Sequence, residues 1–381
     1  MSTVNSGLEG VVAAATALSD VDGERGELTI AGFPVGELAA HATFEETTWL
    51  LWHGDLPSTA QLDAFHAELA SHRTLPPATI ALLHECTRAK LDPMDALRIA
   101  AGTISLTSED ATAILASFPT IVATFWRLRN GEEPIAPRRD LGHAANFLYM
   151  LNGIEPDAER VRGLETYLNT VVDHGLNAST FTCRVITSTG SDLVSAIVGA
   201  LGALKGPLHG GAPGPALDMV FEIGETSRAE AILSAKIEAG EKLMGFGHRV
   251  YKVRDPRADV LAAAAERMFT RAGDMSLYTL ARSVESTALR LLEEYKPGRR
   301  LQTNVEFYTA LLLHGLGLDV PLFTPTFAIS RAGGWIAHAF EQRRASRIIR
   351  PQSVYAGPRD RRWVPLGERD ERDQNTKRAA S

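Results

Sequence analysis

Residues 192–204 (DLVSAIVGALGAL) are apolar on nearly every helical face. A helix with no polar face must be buried between other helices or across a subunit interface, so the rest of the chain has to supply neighbours. It does. Apolar side chains recur at helical spacing over residues 44–53, 58–71, 96–106, 111–130, 139–151, 158–173 and 228–242, and again over 259–271, 278–295, 305–316 and 326–344. Lys205-Gly206-Pro207 and Lys296-Pro297-Gly298 are clear helix stops. Only Leu28-Thr29-Ile30-Ala31-Gly32-Phe33-Pro34 reads as a strand, a brief one ending in a turn. The expected fold is all-α with a minor N-terminal β element, because the apolar runs are too long for the buried strands of an α/β sheet.

A chain of 381 residues can bury a large core and form more than one domain. Its 45% hydrophobic and 22% charged residues are those of a soluble globular protein. A net charge of −7 argues against a nucleic-acid surface, so an anionic ligand would have to be held by local arginines. Cys86 and Cys183 form no metal or redox pair and imply a reducing compartment, with Cys183 a small core residue. No signal peptide is expected at the N-terminus, and no apolar run approaches membrane-spanning length, so the expected location is cytoplasmic. The Gly- and Pro-rich stretch 206–215 is the best internal boundary. The polar tail 357–381 is compatible with disorder or with wrapping a partner subunit.

Histidines set among small residues carry the chemistry. His174 lies in Asp173-His174-Gly175-Leu176-Asn177, His209 in Gly206-Pro207-Leu208-His209-Gly210-Gly211, and His248 in Gly245-Phe246-Gly247-His248-Arg249. Glycine beside histidine lets backbone and imidazole both approach a ligand. Each has an ordinary alternative: His209 as an idle loop residue, His174 as a helix-end cap balancing the dipole. His248 to Arg257 is either a solvated basic loop or an anion clamp, with Asp255-Pro256 turning the chain so as to aim Arg257. Thr303-Asn304-Val305-Glu306 fits a capping box, in which Glu306 reaches back to its own helix start. The alternative makes Glu306 a general base kept ionised by the helix N-terminus. Arg331 interrupts an apolar helix and asks for an anion, whereas Arg350, before Pro351, needs no explanation as an exposed loop residue. Zinc, calcium, P-loop, dinucleotide and serine-hydrolase motifs are absent from the sequence.

In order, these segments resemble the citrate synthase family over nearly the whole chain. The match takes in Gly7-Leu8-Glu9-Gly10-Val11-Val12, Gly26-Glu27-Leu28, Pro93-Met94-Asp95-Ala96-Leu97-Arg98 and Asp173 to Thr180. It continues through 206–211, 245–257, Asn304-Val305-Glu306-Phe307-Tyr308, Ser330-Arg331-Ala332 and Arg350-Pro351. The resemblance implies a helical homodimer with a large domain (1–208 and 313–381, for dimerisation and part of the oxaloacetate site). A smaller mobile domain (209–312) would carry coenzyme A and the catalytic loops. It implies that acetyl-CoA, oxaloacetate and water give citrate and CoA, with no resident cofactor, no metal, no nucleic acid and no membrane. By motif, His209 would bond the thioester oxygen as the enol forms, Glu306 would remove the methyl proton, and His248 would polarise the ketone. His174, Arg257 and Arg331 would hold the carboxylates, and Arg350 would cross to the other subunit's site. Arg249, Lys252, Arg254 and Asn304 would meet coenzyme A.

One position departs from the family pattern, which has aspartate where this chain has Glu306. The carboxylate moves by about one methylene, and a shift of about 1 Å can cost roughly a hundredfold in rate. An active enzyme is expected, since the other motif residues are present. The alternatives are a 2-methylcitrate synthase using propionyl-CoA, a non-catalytic ligand-binding paralogue with Glu306 as a cap, and a CoA-ester hydrolase.

Overall fold

The computed structural model describes residues 6–8, 10–106, 110–210, 213–248, 250–366 and 369. Two compact units are present, Ala15–Ile349 and a second made of the termini, Met1–Ala14 with Arg350–Ser381. In the terminal unit, Tyr355 donates to the Pro358 carbonyl at 2.8 Å, and the Arg359 guanidinium carbon lies 5.3 Å from the Tyr355 ring centroid.

The described residues form sixteen α-helices and one small antiparallel sheet, as the helical periodicity requires. The sheet corrects one expectation. The single strand over 28–34 is two, Glu27–Ile30 and Phe33–Pro34, because Ala31 (φ 45°) and Gly32 (φ 89°) turn the chain back on itself. Ser19–Asp22 adds a third strand, pairing Ser19 with Ile30 and Asp22 with Glu27.

Helix starts follow their caps. Ser58, Asp157 and Asp192 each accept a hydrogen bond from a first-turn N–H of Thr59–Ser71, Ala158–Val171 and Leu193–Leu204. The helix expected over 259–271 runs Pro256–Ala272, because Pro256 fits the first turn and Asp255 caps it. The one expected over 139–151 begins only at His143; Arg138 instead donates its N–H to Asn146 Oδ1 at 2.8 Å. Helices Val35–His41, Pro77–Arg88, Ala178–Thr187 and Pro213–Ile223 complete the set.

Leu193–Leu204 buries Leu193, Val194, Ile197, Leu201 and Leu204 and packs against Ala178–Thr187, Phe323–Ala345 and Pro93–Ala101. The expectation that no apolar run approaches membrane-spanning length is corrected by Ala111–Arg129, a 19-residue helix apolar enough to span. Ser117, Pro119, Thr120 and Thr124 lie within its buried surface, and it packs among other helices as a core element. Cys86 and Cys183 are both free and buried.

Candidate active site

Ala158–Val171 ends before Asp173, two residues short of the expected 158–173, so His174 sits on the loop leading into Ala178–Thr187 rather than capping a helix. Asp173 is fully buried. Ser19 Oγ donates to its Oδ2 at 2.5 Å, and His338 Nε2 lies 3.1 and 3.2 Å from its two oxygens. Arg184 Nη1 is 3.0 Å from His338 Nδ1. A guanidinium only donates, so Nδ1 accepts and the His338 proton sits on Nε2, facing Asp173. Burial works to raise the Asp173 carboxyl, but His338 and then Arg331 hold it below its ordinary value. Ser19 Oγ also accepts the Gly175 N–H at 2.8 Å, so the loop bearing His174 is pinned from both sides.

Arg331, in Phe323–Ala345, is 2% exposed. Its Nε donates to the Val171 carbonyl at 2.7 Å, and its guanidinium carbon lies 4.4 Å from the Phe327 ring centroid. Burial pulls its pKa down to about 10 against the opposing charge of Asp173, which leaves it cationic at neutral pH. A buried cation of this kind is a natural anion site. The helix approaches the loop so closely that a Cβ at Gly334 would strike the Val172 carbonyl oxygen.

His209 follows Leu193–Leu204 on a tight turn. The Ser179 N–H donates to its Nε2 at 3.3 Å, and Ser179 Oγ is 2.8 Å from the same nitrogen. A backbone N–H cannot accept, so Nε2 carries the lone pair and the proton resides on Nδ1. Burial, helped by Arg331, lowers His209 to about 4. It is therefore a neutral imidazole offering Nδ1–H as a donor.

The opposite side is built from loop. Gly245 (φ 88°) and Gly247 (φ 82°) adopt the left-handed region, and a Cβ at Gly245 would fall 2.9 Å from the Phe307 ring. Asn304 N donates to the Gly245 carbonyl (2.9 Å), Gly247 N to that of Gln302 (2.7 Å), and Asn304 Nδ2 to that of Gly247 (2.8 Å). These bonds stitch the loop before His248 to the start of Val305–Gly315, the helix of Glu306. His248 Nδ1 accepts the Val250 and Tyr251 N–H groups, each at 3.1 Å, so its proton is on Nε2. Burial and Arg257 lower His248 to about 4 despite Asp255. The His248 and His174 rings meet edge to face at 5.8 Å, and His174 Nε2 is 3.1 Å from the Tyr251 hydroxyl. Burial, then Arg257 and Arg331, hold His174 well below its ordinary pKa.

Asp255 joins the parts of this side. It accepts from Arg257 N and Nε (both 3.0 Å), from Arg257 Nη2 (2.8 Å) and from Val305 N (3.2 Å). One carboxylate thus caps two helices and aims the buried Arg257. Glu306 does not form the capping box. The helix is capped by Asn304, whose Oδ1 accepts the Glu306 N–H at 3.0 Å, so Glu306 stands two residues after the cap and not the three a box needs, and the Thr303 hydroxyl donates to Glu285 instead. Among the described residues, the Glu306 carboxylate has no hydrogen-bond or ion-pair partner. Burial lifts its pKa to about 7, with Arg257 and Arg331 opposing and Asp255 adding to the rise.

The structure thus brings together His174, His209, His248, Arg257, Glu306 and Arg331. Arg350 opens the terminal unit and is exposed, and Arg249 lies outside the described residues. Arg254 is engaged by Asp259 (2.5 Å) and Glu285 (2.6 Å), Lys252 is exposed, and both ends of the Asn304 amide bond to protein. Residues that the sequence did not single out include His338, Glu285, Ser179 and Tyr251. Ser179 and Tyr251 lie inside the motifs themselves, two residues after Asn177 and three after His248. Nothing in the sequence pairs His338 with Asp173 or Glu285 with Arg254.

Chemically, a carboxylate titrating near neutrality faces neutral imidazole donors and buried guanidinium groups. Such a site can take a proton from an anionic ligand's co-substrate and stabilise oxyanions as they form. The profile of the family described as "Citrate synthase, C-terminal domain" matches residues 7–352. Citrate synthase 2 of Bacillus subtilis is 41% identical over 96% of this chain and 100% of its own length. A 2-methylcitrate synthase of Mycobacterium tuberculosis is 39% identical over 94% of this chain and 92% of its own. The solved citrate synthase of Thermoplasma acidophilum, in ternary complex with carboxymethyl coenzyme A and oxaloacetate, superposes with a TM-score of 0.88 at 29% identity, covering 97% of this chain and 100% of that one.

Proposed function

The chain belongs to the citrate synthase family, and on that premise we propose that it condenses acetyl-CoA with oxaloacetate and hydrolyses the product to citrate and CoA. The observation that carries this reading is the Glu306 carboxylate, without a partner among the described residues and titrating near 7 among donors whose tautomers are set by backbone N–H groups. Glu306 takes a proton from the acetyl methyl group while His209 Nδ1–H bonds the thioester oxygen, so the enol forms against a donor and not in water. The enol carbon then attacks the oxaloacetate ketone. His248 Nε2–H supplies the hydrogen bond to that oxygen as it gains charge, and the proton that Glu306 took is returned to it, so that the citryl thioester carries a hydroxyl and the carboxylate is restored. Arg257, Arg331 and His174 hold the dicarboxylate, and water cleaves the citryl thioester, releasing CoA. A neutral imidazole suits both donor roles, since imidazolium would be too strong an acid to keep its proton beside an oxyanion.

The reading asks for no resident cofactor, acetyl-CoA being a substrate. It includes a cytoplasmic homodimer, with Arg350 reaching the partner's site and residues 209–312 closing over the ligands as a mobile domain. Coenzyme A would be met by Arg249, Lys252, Arg254 and Asn304, the last two in addition to the bonds they already make.

Relatives named 2-methylcitrate synthase, at 39% identity, favour propionyl-CoA as a second acyl donor. The two thioesters differ by one methylene, worth about 1–3 kcal/mol in a pocket. Oxaloacetate-dependent CoA release should be measured with both, for wild type and Glu306→Gln. Turnover that falls by roughly a hundredfold or more in the variant is expected. Ligand binding without turnover in the wild type would point to a paralogue that only binds, and CoA release that ignores oxaloacetate would point to a hydrolase.

A further inference from the structure

Tyr167 is fully buried, and its hydroxyl has no hydrogen-bond partner among the described residues. A buried orphan hydroxyl is costly, and a native fold that keeps one usually has a use for it. Its position follows from the stripe of Ala158–Val171 on which it lies. Arg160 Nη2 donates to the Leu316 carbonyl, a Cβ at Gly163 would lie 3.6 Å from Leu312 and Leu316, and the Val171 carbonyl accepts from Arg331. The first half of the helix therefore packs against the C-terminal end of Val305–Gly315, and its last residue lies against Arg331. Tyr167 lies one turn, about 6 Å, beyond Gly163, and Glu306 lies about 9 Å back from Leu312. The phenol hydroxyl lies within reach of the charges of Glu306, Arg331 and Arg257. The same helix packs against Pro256–Ala272, whose first turn bears Arg257.

Among the described residues, a donor without an acceptor and a carboxylate without a donor thus sit on helices that pack together. We propose that Tyr167 is the positioning residue of Glu306, its hydroxyl donating to the Glu306 carboxylate once bound ligand has dried the site. The bond orients the longer glutamate side chain and favours its ionised form. This rests on the reading of Glu306 as a base. Burial and the Glu306 charge both raise the Tyr167 hydroxyl well above its ordinary pKa, so it keeps the proton it donates. The other charged groups facing Glu306 are Arg257, Asp255 and Arg331, all left in place by Tyr167→Phe.

The test is the infrared titration of the Glu306 carboxyl with oxaloacetate present, taken as the difference from Glu306→Gln, in wild type and in Tyr167→Phe. A hydrogen bond to the charged form lowers a pKa, so its removal should raise the midpoint by about one pH unit. The acid limb of the kcat profile should move up with it. With a midpoint near 7 when the bond is missing, that means roughly a twofold lower kcat at pH 7 and close to a tenfold lower one at pH 5. KM for oxaloacetate should stay unchanged, and the thermal midpoint should not fall, because an orphan group has been removed. An unmoved midpoint overturns the proposal; if KM for oxaloacetate rises instead, the hydroxyl serves the dicarboxylate. A shifted midpoint in a protein with no condensation activity would leave the proposal standing and remove the synthase reading.

Discussion

On the helical side of the site, Asp173 accepts from the side chains of Ser19 and His338, and His338 in turn from Arg184. On the loop side, Asp255 accepts from Arg257, two positions away, and from the backbone N–H groups of Arg257 and Val305. Both carboxylates are fully buried. Asp173 is held by residues more than 150 positions away in the chain, and the imidazole that faces it is itself held by Arg184. That arrangement makes a scaffold. Asp255 is held locally and carries a full ion pair, so the loop side keeps its geometry by cross-bracing itself. A loop that must admit ligands can then stay accurate without being anchored to the core at every point.

The contrast can be broken most sharply at Asp255. Asp255→Ala leaves Arg257 buried without its counter-charge and uncaps two helices. A loss of about 3–5 kcal/mol of stability is expected in urea unfolding, with oxaloacetate binding weakened at least roughly a hundredfold. Wild-type stability in that variant would mean the loop side does not depend on its carboxylate. His338→Phe attacks the scaffold. It removes one partner of Asp173 while Ser19 remains, so about 1–3 kcal/mol should be lost, with kcat reduced less than in Asp255→Ala. The reverse order of kcat effects would show the helical side to be the more delicate one.

A further way to break the comparison is pH. His209 and His248 stay neutral in the folded protein down to about 4, whereas in the unfolded chain they take up protons below about 6.5. The unfolded state then binds more protons, so stability is present above that range and declines as the pH falls from about 6.5 toward 4. Urea unfolding at pH 7 and pH 5 should record the decline, and the double variant His209→Gln, His248→Gln should make it shallower, with His174 and His143, also held below their ordinary values by burial, supplying the rest. An unchanged slope in the double variant would place the acid sensitivity elsewhere.

The helices were legible from periodicity, and their ends from residues such as Ser58, Asp157 and Asp192 that cap them. His174, His209 and His248 stood out because small residues surround them. Their tautomers did not, since these depend on which backbone N–H meets which ring nitrogen. Glu306 had an ordinary reading as a cap, and only the start of the helix at Asn304 in place of Thr303 removes it. The Asp173–His338 pair spans 165 positions, and Tyr167 looks like any aromatic on a core stripe. Contacts of that range leave no local pattern to read.

Gly245 and Gly247 are bonded to Gln302 and Asn304, so His248 and Glu306 hang from one braced pair of segments. Under the proposed chemistry this works as an interlock. The group that draws a proton from the thioester and the group that readies the ketone come into register as one part, or not at all. A reactive enol is then not made in a site whose electrophile is still unprepared, and timing follows from how the backbone is tied.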